Sequence, residues 1–187
     1  MRKACSFYLL SLIFPLTFIA CKKHQQKTSV DQLPPATQTG ANTFGCIVNG
    51  KVFVPKGNSL TPRLKCAYQS LNTDYSKGYF FQLSAGDLSN SNDITGVAIY
   101  TDSLQVSTGN YNLGDNKKGY AYASYVIINN QQNNSLYTKT SLTGRLTITK
   151  LDETNQIVAG TFWFTIVNTN GDTIKVTDGR FDMKFTK

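Results

Sequence analysis

The side chains with catalytic potential are few. The chain has one histidine, His24, which sits in a polar stretch rather than in a patterned domain, so no Ser-His-Asp or Cys-His arrangement is available there. No His-Glu-x-x-His pair, no cysteine and histidine cluster with zinc-ligand spacing and no glycine-rich phosphate loop occurs, and neither a metal nor an organic cofactor is expected. Ten of the 11 acidic residues lie between Asp74 and Asp182, mostly in turn sequences where Asp bonds its own backbone. A glycosidase needs two carboxylates about 5–9.5 Å apart, which sequence spacing cannot supply. The expectation is a protein that is not an enzyme, with a hydrolase as the lesser alternative.

Aromatic residues are the better lead. In Gly119-Tyr-Ala-Tyr-Ala-Ser-Tyr125, Tyr120 and Tyr122 share one strand face, while Ala121, Ala123 and Tyr125 share the other. Trp163, the single tryptophan, alternates away from the apolar residues of its own segment. Rings on a sheet surface stack on sugar faces or line small-molecule pockets, so Trp163, Tyr120 and Tyr122 are the expected ligand-binding residues. The alternative is structural, since tyrosines suit strands and the alanines opposite suit packing beneath a second sheet. Lys139, Arg145 and Lys175 read as solvated charges or edge protection.

Those residues need a scaffold, and the scaffold needs an address. Arg2 and Lys3 precede an apolar run from Ala4 to Ala20, broken by Pro15; it is slightly short of the ~20 residues that cross a bilayer and has a secretory shape. Phe18-Ile-Ala-Cys21 resembles the lipobox of bacterial lipoproteins, although Phe18 stands where Leu is usual. The resemblance implies cleavage before Cys21, diacylation of its sulfur, and a membrane partner held through acyl chains at about 0.8 kcal/mol per buried methylene. An ordinary cleaved signal with a chance cysteine is the alternative. The expected organisation is a signal peptide over 1–20, a lipidated tether over 21–42 and a β domain over 43–187. With Pro34-Pro35 and few apolar groups, residues Lys22 to Asn42 should behave as a solvated leash, reaching some 25 Å by random-coil scaling.

The formal net charge of +8 includes Arg2 and Lys3. From Phe44 onward 14 basic residues face 10 acidic ones, too mild a balance for nucleic acid, which wants a concentrated basic face. Lys22, Lys23 and Lys27 suit anionic headgroups instead. Once Cys5 leaves with the signal and Cys21 carries lipid, Cys46 and Cys66 remain. A disulfide between them would destabilise the unfolded chain by about 3 kcal/mol, and it is favoured over two buried thiols because export leads to an oxidising compartment.

From Phe44 the hydrophobic pattern has period two, with no helical period, which predicts an all-β domain. Asn49-Gly50 between two alternating runs predicts a type I′ hairpin. Further strands are expected over 64–71, 78–84, 94–101, 119–128, 142–151, 157–167, 173–177 and 180–186, with turns at 88–93, 112–119, 129–135, 168–171 and 178–179. About nine or ten strands make a single antiparallel β-sandwich or a flattened β-barrel. Val158, Phe162, Phe164, Ile166, Ile174, Val176, Phe181, Met183 and Phe185 should form the core, opposite Thr161, Trp163, Thr165 and Asp182.

Thr43-Phe-Gly-Cys46, Val48-Asn-Gly-Lys51, Phe53-Val-Pro55, Gly144-Arg-Leu-Thr-Ile148, Val158-Ala-Gly-Thr-Phe162 and Val176-Thr-Asp-Gly-Arg-Phe181 together resemble a family of small Bacteroidota lipoproteins classified as a domain of unknown function. The resemblance spans most of Thr43 to Phe185 and lends no activity or site residues. It implies an envelope location and a compact β domain. Apart from the resemblance, the aromatic residues make a small molecule or glycan the expected ligand, with an envelope protein as the alternative partner. In some proteins of this phylum an acidic run after the lipidated cysteine marks surface export; Lys22-Lys23 in its place implies an outer-membrane anchor facing the periplasm. Asp102-Ser103-Leu104 and Asp172-Thr173-Ile174 resemble the short O-glycosylation pattern of the same phylum.

Overall fold

The computed structural model describes residues 28–57, 63–74, 76–131, 133–139 and 142–187. The expected signal segment, Cys21 and the lysines that follow it lie outside these. Eleven strands are present among the described residues: β1 (Thr43–Val48), β2 (Lys51–Phe53), β3 (Leu64–Asn72), β4 (Lys77–Asp87), β5 (Asp93–Thr101), β6 (Gly109–Asn112), β7 (Ala121–Asn129), β8 (Asn133–Tyr137), β9 (Gly144–Asp152), β10 (Ile157–Val167) and β11 (Thr173–Lys184). They form a six-stranded sheet in the order β2-β1-β11-β10-β9-β6 and a five-stranded sheet in the order β3-β4-β5-β7-β8. Every strand pairing is antiparallel.

The two sheets stay separate, so the molecule is a sandwich and not a barrel. Single bridges stitch the corners: Thr186, just beyond β11, donates its N–H to the Cys66 carbonyl at 3.1 Å and accepts from the Tyr68 N–H at 2.9 Å. Between the sheets lies one apolar cluster to which both contribute, Phe44, Phe162, Phe164 and Phe181 from one side and Phe81, Leu83, Val97 and Ile99 from the other. All nine core residues expected in the last third are buried.

Local chemistry explains most elements. Asn49 and Gly50 both take positive φ, 47° and 81°, the backbone a two-residue hairpin loop demands. At the other end of the chain the expected turn at Asp178-Gly179 is instead a bulge within one continuous strand, β11. There the pairing with β10 jumps from Phe162↔Gly179 to Phe164↔Val176, and Asp178 adopts φ 53°. An extra residue flips every following side chain to the opposite face. Hence the even-numbered inward residues Ile174 and Val176 give way to the odd-numbered Phe181, Met183 and Phe185. Gly179 is required there, since a Cβ would lie 2.5 Å from the Phe162 ring.

Three expectations need correction. β6 and β8 lie in or beside polar stretches read as turns and linkers; both are edge strands, whose exposed faces accept asparagines without an apolar pattern. Cys46 and Cys66 are separate buried thiols, not a disulfide. They join the core from opposite sheets, on β1 and β3, and a bridge forms only where two such strands bring their Cα atoms within about 4.4–6.8 Å. Burial pushes the Cys66 thiol up to about 12 and the Cys46 thiol higher, so both remain neutral.

The third concerns the leash. From Leu33, 7% exposed, to Gly40 the chain lies as a strap across the outer face of the six-stranded sheet. Pro34 packs over Gly45, where a Cβ would meet its Cδ at 2.7 Å. The strap is fastened by Asp182, a fully buried carboxylate. It accepts from the Thr37 hydroxyl at 2.6 Å, the Thr39 N–H and hydroxyl at 2.9 and 3.0 Å, and the Gly40 N–H at 2.6 Å. Burial raises the carboxyl's affinity for a proton, but these donors prevail and lower its pKa to about 2.

Candidate functional site

The strap covers one part of the outer face of the six-stranded sheet and leaves another bare. Trp163 projects there from β10, 42% exposed, because Phe162 and Phe164 on either side point inward. Directly opposite on β9 is Arg145, and Arg145 in turn faces Asn112 on β6. On the other side β11 bulges at Asp178, and Arg180 pairs with Thr161, two residues before Trp163 on the same face. A bulge re-aims the side chains that follow it.

Two clefts flank Trp163. The first, of about 380 Å³, is walled by Trp163, Tyr120 and Arg145, with Asn112 and Thr143 as polar groups and Gly144 in its lining. A Cβ on Gly144 would press on the Cβ atoms of Phe164 and Leu113 at 2.9 and 3.1 Å, so glycine permits the close packing beneath this cleft. The second, of about 460 Å³, lies between Trp163, Arg180, Asp178 and the strap residue Ala36. Tyr120, 39% exposed, carries the Lys117 ammonium over its ring at 4.4 Å, and that ammonium also pairs with Asp115 at 3.2 Å. The guanidinium groups of Arg145 and Arg180 make no ion pair or hydrogen bond among the described residues.

Of the three expected binding residues, Trp163 and Tyr120 meet in one cleft and Tyr122 does not join them. Tyr122 projects from β7 on the outer face of the five-stranded sheet, stacked on Tyr100 with centroids 5.1 Å apart and tilted against Tyr137 at 6.1 Å. These rings roof over Ala98 and Ser124, which are buried although they face outward. Burial, and then the neighbouring Tyr100, Asp102 and Tyr137, pushes the Tyr122 phenol up to about 12. Shared strand parity placed Tyr120 beside Tyr122, but β7 begins at Ala121. Tyr120 therefore lies on the approach to the strand and turns toward the other sheet.

Sequence reasoning took Arg145 for a solvated charge or edge protection and did not single out Arg180 or Asn112 as binding residues. The register that sets Arg145 opposite Trp163 is the signal that identifies it, and it emerges only once β9 and β10 are paired. Of the two positions that resemble glycosylation acceptors, the Ser103 hydroxyl shares its one proton between the Lys77 carbonyl and the Asp102 carboxylate, each at 2.9 Å, whereas Thr173 is exposed at the start of β11. Among the described residues no group of three or more His, Cys, Asp or Glu side chains is placed to hold a metal, and no helix is long and apolar enough to cross a membrane.

A family comparison matches residues 87–183, just over half of the chain, to Domain of unknown function (DUF6252). The chain belongs to this family. The match covers β5 to β10 and nearly all of β11, and so includes Arg145, Trp163, Arg180 and Asp182; the first hairpin and β3 fall outside it. Comparison with curated proteins and with solved structures returns no match.

Proposed function

We propose that this DUF6252 protein is a noncatalytic envelope lipoprotein, anchored through acylated Cys21, whose sandwich binds a glycan or small molecule in the clefts beside Trp163. The single observation that carries the binding role is the meeting, from three strands and a loop, of an exposed tryptophan, a tyrosine, an arginine unpaired among the described residues and an asparagine around one concave space. Its volume falls at the lower end of the ~300–1,000 Å³ of small-molecule pockets, and it offers an apolar wall with a few convergent polar groups. The lipobox-like Phe18-Ile-Ala-Cys21 supports the anchor.

The strap supports a close attachment. Its first buried residue, Leu33, follows Cys21 by twelve residues, a step that spans at most roughly 43 Å when fully extended. Because residues 33–40 lie on the sheet, fewer residues separate the acyl anchor from the folded domain than the expected 21–42 tether, which favours a domain held nearer the outer membrane, on its periplasmic side.

Trp163 is the single tryptophan, so its fluorescence reports the cleft without background. A panel of mono- and oligosaccharides should include members that shift or quench it at saturable concentration, and Trp163→Ala should abolish their binding by calorimetry. A flat response across the panel overturns the binding role. Mass spectrometry of the envelope fraction should find an N-terminal cysteine carrying acyl chains, and an unacylated N-terminus overturns the anchor.

A further inference from the structure

We propose that the groove around Trp163 takes an acidic oligosaccharide, a chain of uronate sugars whose carboxylates meet Arg145 and Arg180. This rests on the binding role above and names the ligand class for the same site. Three observations converge on it. Trp163 stands between two clefts, so a ligand stacked on its ring continues past it on both sides, which suits a chain better than a single ring. Each cleft holds one arginine: Arg145 lies directly opposite Trp163, and Arg180 lies two strands from Arg145 with an offset of two residues. Strand spacing and rise place the two backbone positions roughly 12 Å apart, so one extended anionic chain reaches both.

Neither guanidinium is neutralised by a carboxylate among the described residues. A planar fork with free donors is the group that takes a carboxylate bidentately. No acid lines the first cleft among the described residues, and Lys117 beside Tyr120 is already paired with Asp115, so Arg145 is the group left to meet an anion there. The second contains Asp178, which offsets Arg180 and makes the Arg145 side the stronger anion subsite. Sugar hydroxyls need partners that both donate and accept, which Asn112 and Thr143 provide, while the C–H face of the ring rests on Trp163.

The test compares short oligogalacturonates with the same oligomers methyl-esterified on every carboxyl, titrated into the full-length protein with Trp163 fluorescence as the readout. The free acids should bind, with affinity falling as salt is raised, and the esters should bind at least about tenfold more weakly, the scale of one lost charge-assisted pair. Arg145→Gln should remove most of that difference, and Arg180→Gln should remove less. Both side chains are on the outer face, so neither variant disturbs the core. Esters binding as tightly as acids, with Arg145→Gln silent, overturn the acidic ligand and leave the glycan role standing. A panel in which neutral and acidic sugars alike leave Trp163 unmoved overturns both.

Discussion

The outer faces of the two sheets both display aromatic rings, yet their rings do different work. On the five-stranded sheet Tyr100, Tyr122 and Tyr137 lean on one another and cover Ala98 and Ser124; their faces are largely spent on each other. On the six-stranded sheet the strap is fastened over Asp182, and beside it Trp163 has no ring neighbour among the described residues and two idle arginines nearby. Exposure alone does not separate the faces, since Tyr137 and Trp163 are exposed to nearly the same degree. The useful distinction is whether a side chain's interactions are already made within the fold. Trp163 and its arginines make no such interactions among the described residues, and that is what favours the proposed ligand site there.

The comparison is most easily broken at Asp182. Asp182→Ala leaves the Thr37, Thr39 and Gly40 donors without an acceptor and should cost about 3 kcal/mol in denaturant unfolding, with the strap becoming protease-sensitive. The unmutated protein should show the same dependence on pH. The carboxyl is held near 2, below its ordinary value of 3.8, so its contribution of about 2 kcal/mol is complete above pH ~4 and is lost as pH falls toward 2. If Asp182→Asn does not flatten that acid limb, the strap is not fastened by this charge.

Tyr122→Ala should cost about 2 kcal/mol, because it removes the middle ring of the stack and uncovers Ser124, and it should leave any Trp163 fluorescence response to ligand intact. Trp163→Ala should cost about 1 kcal/mol or less while abolishing that response. Equal stability losses for the two variants, measured by urea midpoints at constant m-value, would erase the distinction between the faces. The smallest effect is expected for the thiols. Native protein should react negligibly with a thiol reagent at neutral pH, and denatured protein should show Cys46 and Cys66 both free without a reductant, because both are buried and unbridged.

Much of this fold was legible in the residues themselves. Alternation identified the faces of β10 and β11 correctly, and Asn49-Gly50 identified the hairpin, because both depend on neighbours within a few positions. The strap was not legible: Leu33 is one apolar residue in a polar stretch, and Asp182 looks like any outward aspartate until Thr37, Thr39 and Gly40, more than 140 positions away, close over it. The same limit separated Tyr120 from Tyr122. Their shared parity was real, but a sheet begins where pairing begins, and Tyr120 fell one residue outside.

The amino-acid sequence by itself determined an all-β domain, its inward and outward residues, the tight turn at Asn49-Gly50 and the scarcity of catalytic groups, since each follows from residue type and short-range periodicity. Only the tertiary structure decided that Asp178-Gly179 is a bulge within a strand, that the two cysteines stay apart, that the strap lies on the sheet, and that Arg145 stands opposite Trp163. Those four depend on which strands pair and in what register. Register is set by the packing of the whole sandwich, where distant segments bury one another's surfaces and local preference has no say.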